Sequence, residues 1–199
     1  MKIGVLGTGQ VGSAVGGKLA GLGHDVMMGS RDPQAASRKL PQLRVGTQAE
    51  AAAHGAWVVN ALPGEASLVA LRTCEIDGKI LIDIGNYDSA VDQPIVEPLG
   101  QAIQREHPKV RLVKTLNSVS AHLMVDPAAL GKRHSVFIAS NDEAAKREVT
   151  SLLQSMGWQD IVDLGDLGAC RAMEQLIPLW MSLESKLGGP HFNLAVVRD

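Results

Sequence analysis

One stretch constrains this chain more than any other: Ile3-Gly4-Val5-Leu6-Gly7-Thr8-Gly9-Gln10-Val11-Gly12, an apolar run closed by Gly-x-Gly-x-x-Gly. Ile3, Val5 and Leu6 suit a buried parallel strand, and Val11, Val15, Leu19 and Leu22 then recur near helical spacing. The glycines therefore fall where a strand becomes a helix, which is the context a nucleotide-binding turn requires. Gly7 would allow the tight turn, Gly9 would let backbone amides approach a pyrophosphate, and Gly12 would let the helix lie close on the strand. The helix N-terminus adds N–H donors and positive potential. A glycine-rich turn in any doubly wound protein would look similar, but here a second apolar run, Val26-Met27-Met28, appears where a ribose-binding strand should end.

The alternation continues. Helices are expected over Gln10 to Leu22, Pro33 to Leu40, Thr47 to His54, Glu65 to Arg72, Leu99 to Glu106 and Glu143 to Met156, with a loop over Gln93 to Pro98. Strands are expected at Leu43 to Val45, Trp57 to Leu62, Lys79 to Ile84, Arg111 to Lys114, Ser135 to Ala139 and Ile161 to Leu164. Thr47-Gln48-Ala49-Glu50 reads as a capping box. Short β-rich runs alternating with helices argue for an α/β, doubly wound, mostly parallel sheet covered on both faces. The division expected is a core over 1–134 and a small C-terminal part over 135–199 that continues the sheet and ends in helix. In that last helix Leu176-Ile177-Pro178-Leu179-Trp180-Met181 is apolar on nearly every side. Such a stripe belongs in the core or in a subunit interface, here a homodimer, and Pro178 should kink it or start a new turn.

Bulk properties exclude several classes. With 199 residues the chain can bury a real core but not two full domains, and a formal net charge of −2 with no basic cluster speaks against nucleic acid. No apolar stretch reaches the roughly 18 to 20 residues that span a bilayer. Cys74 and Cys170 stand far apart, as two buried free thiols in a reducing cytoplasm would. No His pair has metal-ligand spacing, and no serine sits in a Gly-x-Ser-x-Gly setting. His122 is a lone histidine, read as structural before it is read as a proton donor.

The cofactor is read from Gly29-Ser30-Arg31-Asp32-Pro33. Proteins that bind NAD usually end this strand with a carboxylate for the ribose 2′-hydroxyl. Ser30 followed by Arg31 offers instead a hydroxyl and a guanidinium, groups suited to a 2′-phosphate, so NADP (NADPH) is expected, with Thr8 and Arg38 as further contacts. The alternative is a solvated Arg31 in a helix-capping loop, with Asp32 or Asp25 serving NAD. Ligands of open α/β sheets bind at the carboxyl ends of the strands, which here are Ala61-Leu62-Pro63, Gly85-Asn86 and Asn117-Ser118-Val119-Ser120-Ala121. All are small or polar; ordinary turn chemistry is the other reading, most even for Asn86.

Together the glycine turn, Gly29-Ser30-Arg31, Leu62-Pro63 and Asn117 to Ala121 resemble the NADP-dependent oxidoreductases that act on a deazaflavin coenzyme. They also resemble the cytosolic oxidoreductase domain of the six-transmembrane metalloreductases, where a similar Lys-x-x-Asn-x-x-Ser-Ala stretch occurs. The resemblance implies a Rossmann-type domain with a short C-terminal helical extension, dimeric, passing a hydride between nicotinamide and a flavin or deazaflavin co-substrate. On it Thr8, Ser30 and Arg31 hold the 2′-phosphate; Gln10, Val11, Ala61, Leu62 and Pro63 line the dinucleotide; Asn117, Ser120 and Ala121 lie beneath the nicotinamide. The chain departs from the deazaflavin enzymes at Asn117, where they carry His, and lacks their Lys early in the second helix.

A site without a strong acid or base suits hydride transfer between two ring systems, which needs proximity and stacking more than proton transfer. The expected function is therefore a cytoplasmic NADP(H)-dependent oxidoreductase with a small-molecule, flavin-like acceptor. A reductase of small imines resembling pyrroline carboxylate reductase and a non-catalytic NADP(H)-binding sensor or subunit are the alternatives.

Overall fold

The computed structural model describes residues 1–88 and 96–198. Eight strands form one sheet in the order β3-β2-β1-β4-β5-β6-β7-β8. They are β1 (Lys2–Leu6), β2 (Asp25–Ser30), β3 (Arg44–Thr47), β4 (Trp57–Asn60), β5 (Ile80–Asp83), β6 (Arg111–Thr115), β7 (Ser135–Ala139) and β8 (Asp160–Asp163). Neighbours are parallel except β6 and β7, which meet antiparallel through Lys114–Ala139 and Thr115–Ile138. The helices are α1 (Gln10–Gly21), α2 (Pro33–Lys39), α3 (Gln48–His54), α4 (Gly64–Leu71), α5 (Leu99–Glu106), α6 (Ala121–Val125), α7 (Glu143–Met156) and α8 (Cys170–Leu187). This is the doubly wound α/β architecture that the alternation predicts. The loop expected over Gln93 to Pro98 lies, as far as residue 95, outside the described residues.

Alternate strand residues feed two cores. Ile3, Val5, Met28, Val59, Ile82 and Val113 join Leu19 of α1 and Leu153 of α7 on one face. Leu6, Met27, Val58, Leu81 and Leu112 join Ala51 of α3 and Ile103 of α5 on the other. Strands apolar on both faces are what a covered parallel sheet requires. Because the chain winds outward from β1 to β3 and then returns to place β4 beside β1, a crevice opens between the β1 and β4 ends, the usual ligand position in such sheets.

Local signals set the helix starts. Thr47 accepts from Glu50 N while Glu50 Oε2 accepts from Thr47 N, the full capping box. Asp142 caps α7 by accepting from Ala145 N at 2.9 Å and also pairs with Arg111 of β6 at 2.7 Å.

The C-terminal helix bears on one of the two places expected for its apolar stripe. Cys170, Met173 and Glu174 bury the first turn of α8, but the apolar stretch beyond it is not in the core: Leu179 is 51% and Met181 49% exposed. Physically, α8 packs on α5 and the short turn before it, and farther along only one side is covered, with Leu176, Ile177 and Trp180 half-buried and Trp180 against Phe192. Pro178 does not start a new turn; the helix runs through it.

The Asp142 contact generates a test. The Arg111 guanidinium, with the Ala145 amide, holds the Asp142 carboxyl down at about 2. A depressed folded-state value stabilises at pH above the ordinary carboxylate range and is lost as pH falls towards 2. Asp142→Asn keeps a competent cap and removes the charge, so it should cost about 0.5 to 1 kcal/mol at pH 7, half-exposed pairs being well screened. Urea unfolding of both proteins at pH 7 and pH 3 should show that difference shrinking at the lower pH.

Candidate functional site

The crevice is a cleft of about 640 Å³ lined by the turn after β1, the end of β2 and the ends of β4 and β5. Gly7, Thr8, Gly9, Gln10, Val11, Ser30, Arg31, Ala61, Leu62, Pro63 and Asn86 all face it. Such a volume suits a dinucleotide-sized ligand.

Backbone geometry explains the turn. Gly7 has φ +110, and a Cβ there would stand 2.6 Å from the Ala61 carbonyl oxygen, so strand ends β1 and β4 approach as only glycine allows. Gly12 lies behind the cleft; its Cβ would sit 2.0 Å from the Gly7 oxygen, which is the close helix approach expected of it. At Gly9 a Cβ would meet nothing within 4 Å, so the position opens on the cleft. Gly9 caps α1 without a side-chain bond, and the first turn of α1 holds no acid, leaving its N–H groups and positive potential for an anion.

At the β2 end, Ser30 Oγ donates to the Asp32 carbonyl and accepts from its N–H, tightening the turn that presents Arg31. Asp32 lines the cleft, yet its Oδ1 accepts from Ala35 N at 3.0 Å as the α2 cap. Asp25 is at the far end of β2 and pairs with His54, so it has no access to a ribose here. Arg38 does not line the cleft; Lys39, which the sequence reading passed over, does. Neither Arg31 nor Lys39 is in an ion pair among the described residues. Two free cations beside a hydroxyl form an anion-binding wall.

The opposite end is polar and uncharged. Asn86 Nδ2 donates to the Asn117 carbonyl at 2.7 Å, and Asn117 Nδ2 donates to Asn86 Oδ1 at 3.0 Å and to the Met173 carbonyl at 2.9 Å. Asn117 is thus joined to the cleft through Asn86 rather than lining it. Leu116 just before it has φ 61, a left-handed conformation uncommon for a branched side chain. Ser120 and Ala121 also lie off the cleft: Ser120 is buried and donates to the Pro190 carbonyl, and Ala121 starts α6. His122 is exposed and stacks on His191, Nε2 to Nδ1 at 3.1 Å. Among the described cleft residues the charged ones are Arg31, Asp32 and Lys39, all at the α2 side. The cysteines stay out of it; burial pushes the Cys170 thiol up to about 12, against the opposing Lys114 ammonium.

Sequence reasoning missed an ion cluster beneath the strand ends. Lys114, Asp83 and Glu174 are each almost wholly buried. Lys114 Nζ donates to Asp83 Oδ2 at 2.8 Å and to the Gly85 carbonyl at 2.5 Å, and lies 3.0 Å from Glu174 Oε1. Burial alone would lower the Lys114 pKa, but the Asp83 and Glu174 carboxylates hold it well above its ordinary value. Lys114 was in view as the first residue of Lys-x-x-Asn-x-x-Ser-Ala; a lysine at the end of an otherwise apolar strand was the available signal.

Fold and cleft define an α/β protein of Rossmann type. Residues 2–87 match the family model described as NADP oxidoreductase, coenzyme F420-dependent. Over its whole length the chain is 44% identical to a putative F420-dependent NADP-reductase from Arthrobacter sp. FB24, whose crystal structure superposes with a TM-score of 0.93 and is covered 100%. The chain belongs to this family of NADP oxidoreductases. It is 28% identical to the F420-dependent NADP reductase of Methanothermobacter marburgensis, covering 94% of this chain and 93% of that one. It is also 28% identical to metalloreductase STEAP3 of Rattus norvegicus over 90% of this chain, but spans only 38% of that longer protein. Among the described residues no helix is long and apolar enough to cross a membrane.

The turn yields a prediction. Gly12→Ala forces α1 off the Gly7 carbonyl, at an overpacking cost of about 1 to 3 kcal/mol. Gly9→Ala meets nothing in the protein and should leave stability within about 0.5 kcal/mol. Urea unfolding of the two variants tests this, and equal stabilities would be the contrary result.

Proposed function

We propose that this chain is an NADP(H)-dependent oxidoreductase that passes a hydride between nicotinamide C4 and a flavin-like or deazaflavin acceptor. The observation that carries the reading is the wall of Ser30, Arg31 and Lys39, two cations without an ion-pair partner among the described residues beside a hydroxyl at the end of β2. That position faces the 2′-substituent of a ribose when the pyrophosphate rests on the α1 N-terminus. Thr8, Gln10, Val11, Ala61, Leu62 and Pro63 then flank the dinucleotide, and Asn86, backed by Asn117, borders its nicotinamide end. Bound NADPH supplies the hydride itself; the chain's contribution is placement, and no acid or base lines that end of the cleft among the described residues. A carbonyl or imine substrate needs a proton donor, so a ring acceptor that takes hydride directly fits better.

Arg31→Ala should weaken NADPH by about 1.5 to 3 kcal/mol and leave NADH within about twofold. Titration calorimetry with both nucleotides checks it, and equal wild-type affinities for NADPH and NADH would be incompatible with the reading. Following NADPH absorbance with flavin, deazaflavin, quinone, ferric and cyclic-imine acceptors separates the enzyme from a binding-only sensor, which would bind NADPH and oxidise it with none.

The protein is further proposed to be cytoplasmic and homodimeric, with the exposed Leu179 and Met181 of α8 covered by a second copy of the chain. Light scattering should give twice the 21.1 kDa chain mass, and Leu179→Asp should return the monomer. A monomeric wild type at micromolar concentration would refute this assembly.

A further inference from the structure

The buried ion cluster joins the strand ends at the far end of the cleft to α5 and α8. Asp83 Oδ1 accepts from Gly85 N at 3.2 Å and from Asn60 Nδ2 at 2.8 Å, and Asn60 Oδ1 in turn accepts from Leu62 N at 3.4 Å. Leu62 and Gly85 both line the cleft. Lys114 donates to Asp83 and to the Gly85 carbonyl and forms an ion pair with Glu174, while Asp83 accepts from Gly85 N, so Gly85 is held at both its N–H and its C=O. Glu174 comes from α8, far along the chain, and its carboxylate also accepts from Leu99 N at 2.8 Å and Gly100 N at 3.1 Å, the start of α5. The residue before it, Met173, receives the amide of Asn117. Two consecutive residues of α8 thus hold both sides of the Asn86–Asn117 pair, one through Lys114 and Gly85, the other directly.

From this juxtaposition we infer that Lys114 and Glu174 are positioning residues for the nicotinamide half of the dinucleotide, and that the first turn of α8 is part of that wall. The inference rests on the proposed NADP(H) reading. Two features set it apart from plain stabilisation. A buried ion pair is no more stabilising than well-packed apolar side chains, so stability alone gives no reason for three charged groups here. The cluster also fastens loops at the strand ends, where ligands bind, and leaves Ser30, Arg31 and Lys39 untouched.

The test separates the two halves of the ligand. 2′,5′-ADP carries the adenine side and the 2′-phosphate but no nicotinamide. In Glu174→Gln, which keeps an oxygen for one of the two α5 amides while removing the charge, 2′,5′-ADP should bind within about twofold of wild type and NADPH about tenfold more weakly. With an accepting ring as co-substrate, the isotope effect with C4-deuterated NADPH should rise in the variant, because misplacement slows the hydride step. Lys114→Met should behave likewise. Unchanged NADPH affinity with an unchanged isotope effect overturns the inference. Equal weakening of both ligands, or failure of both variants to fold, assigns the cluster to stability alone and overturns it too. A wild type that binds neither ligand would instead bring down the cofactor reading on which the inference stands.

Discussion

The ammonium group of Lys114 is the point on which the far half of the structure converges. Taking an ammonium out of water carries a penalty of several kcal/mol, and an uncompensated one would not stay charged in this position. Two carboxylates and a backbone carbonyl surround it, and the excess negative charge is offset by the amides at the start of α5. Every group in the cluster depends on another: without Lys114, Asp83 and Glu174 would face each other unshielded. That mutual dependence ties β4, β5, β6, α5 and α8 into one unit, although they are spread from residue 57 to residue 187.

The arrangement also accounts for a helix that is otherwise poorly held. Beyond its first turn α8 leaves Leu179, Met181 and Leu187 exposed in the single chain, while Leu176, Ile177 and Trp180 are half-buried. Pro178 lacks the N–H that would have bonded the Glu174 carbonyl, so the helix is weakened just past its anchor. Besides the buried Cys170 and Met173, polar contacts fix α8: Glu174 at Lys114 and α5, and the Met173 carbonyl at Asn117. Polar anchors are directional where apolar burial is not, and they set the helix orientation at the cleft.

How much of this was legible in the sequence follows from the range of the forces involved. The strand and helix order, the Gly7-Thr8-Gly9-Gln10-Val11-Gly12 turn and the Thr47–Glu50 capping box depend on neighbours in sequence, and all could be read there. The β2 end of the cleft was readable for the same reason, since Ser30 closes its strand and Arg31 follows it directly. Lys39 was missed in favour of Arg38 because one step along a helix rotates a side chain by about 100°, and the α2 register decides which faces the cleft. The Lys114 cluster was hidden for a different reason. Its members are 31 and 60 residues apart, and Glu174 stands in a stretch whose apolar neighbours suggested only burial. The same apolar pattern left the placement of Leu176 to Met181 open between core and interface, because hydrophobicity says that a face is covered without saying by what.

The two ends of the cleft, proposed to hold the nicotinamide and the phosphates, differ in what defines them. Phosphate binding relies on a helix terminus and free cations, which act over several ångströms and tolerate small shifts. Hydride transfer tolerates little, because the reacting atoms must sit near van der Waals contact. A wall of hydrogen bonds, the Asn86–Asn117 exchange above the doubly held Gly85, would be stiff in the way that the proposed step needs. Leu116 pays part of the cost of this stiffness, with a backbone strain on the order of 1 to 3 kcal/mol that persists because its side chain is locked in the apolar core. Straining a buried Leu to aim the next residue makes sense only if the direction of Asn117 matters, and Asn117 is the residue that links the cleft to the C-terminal helix.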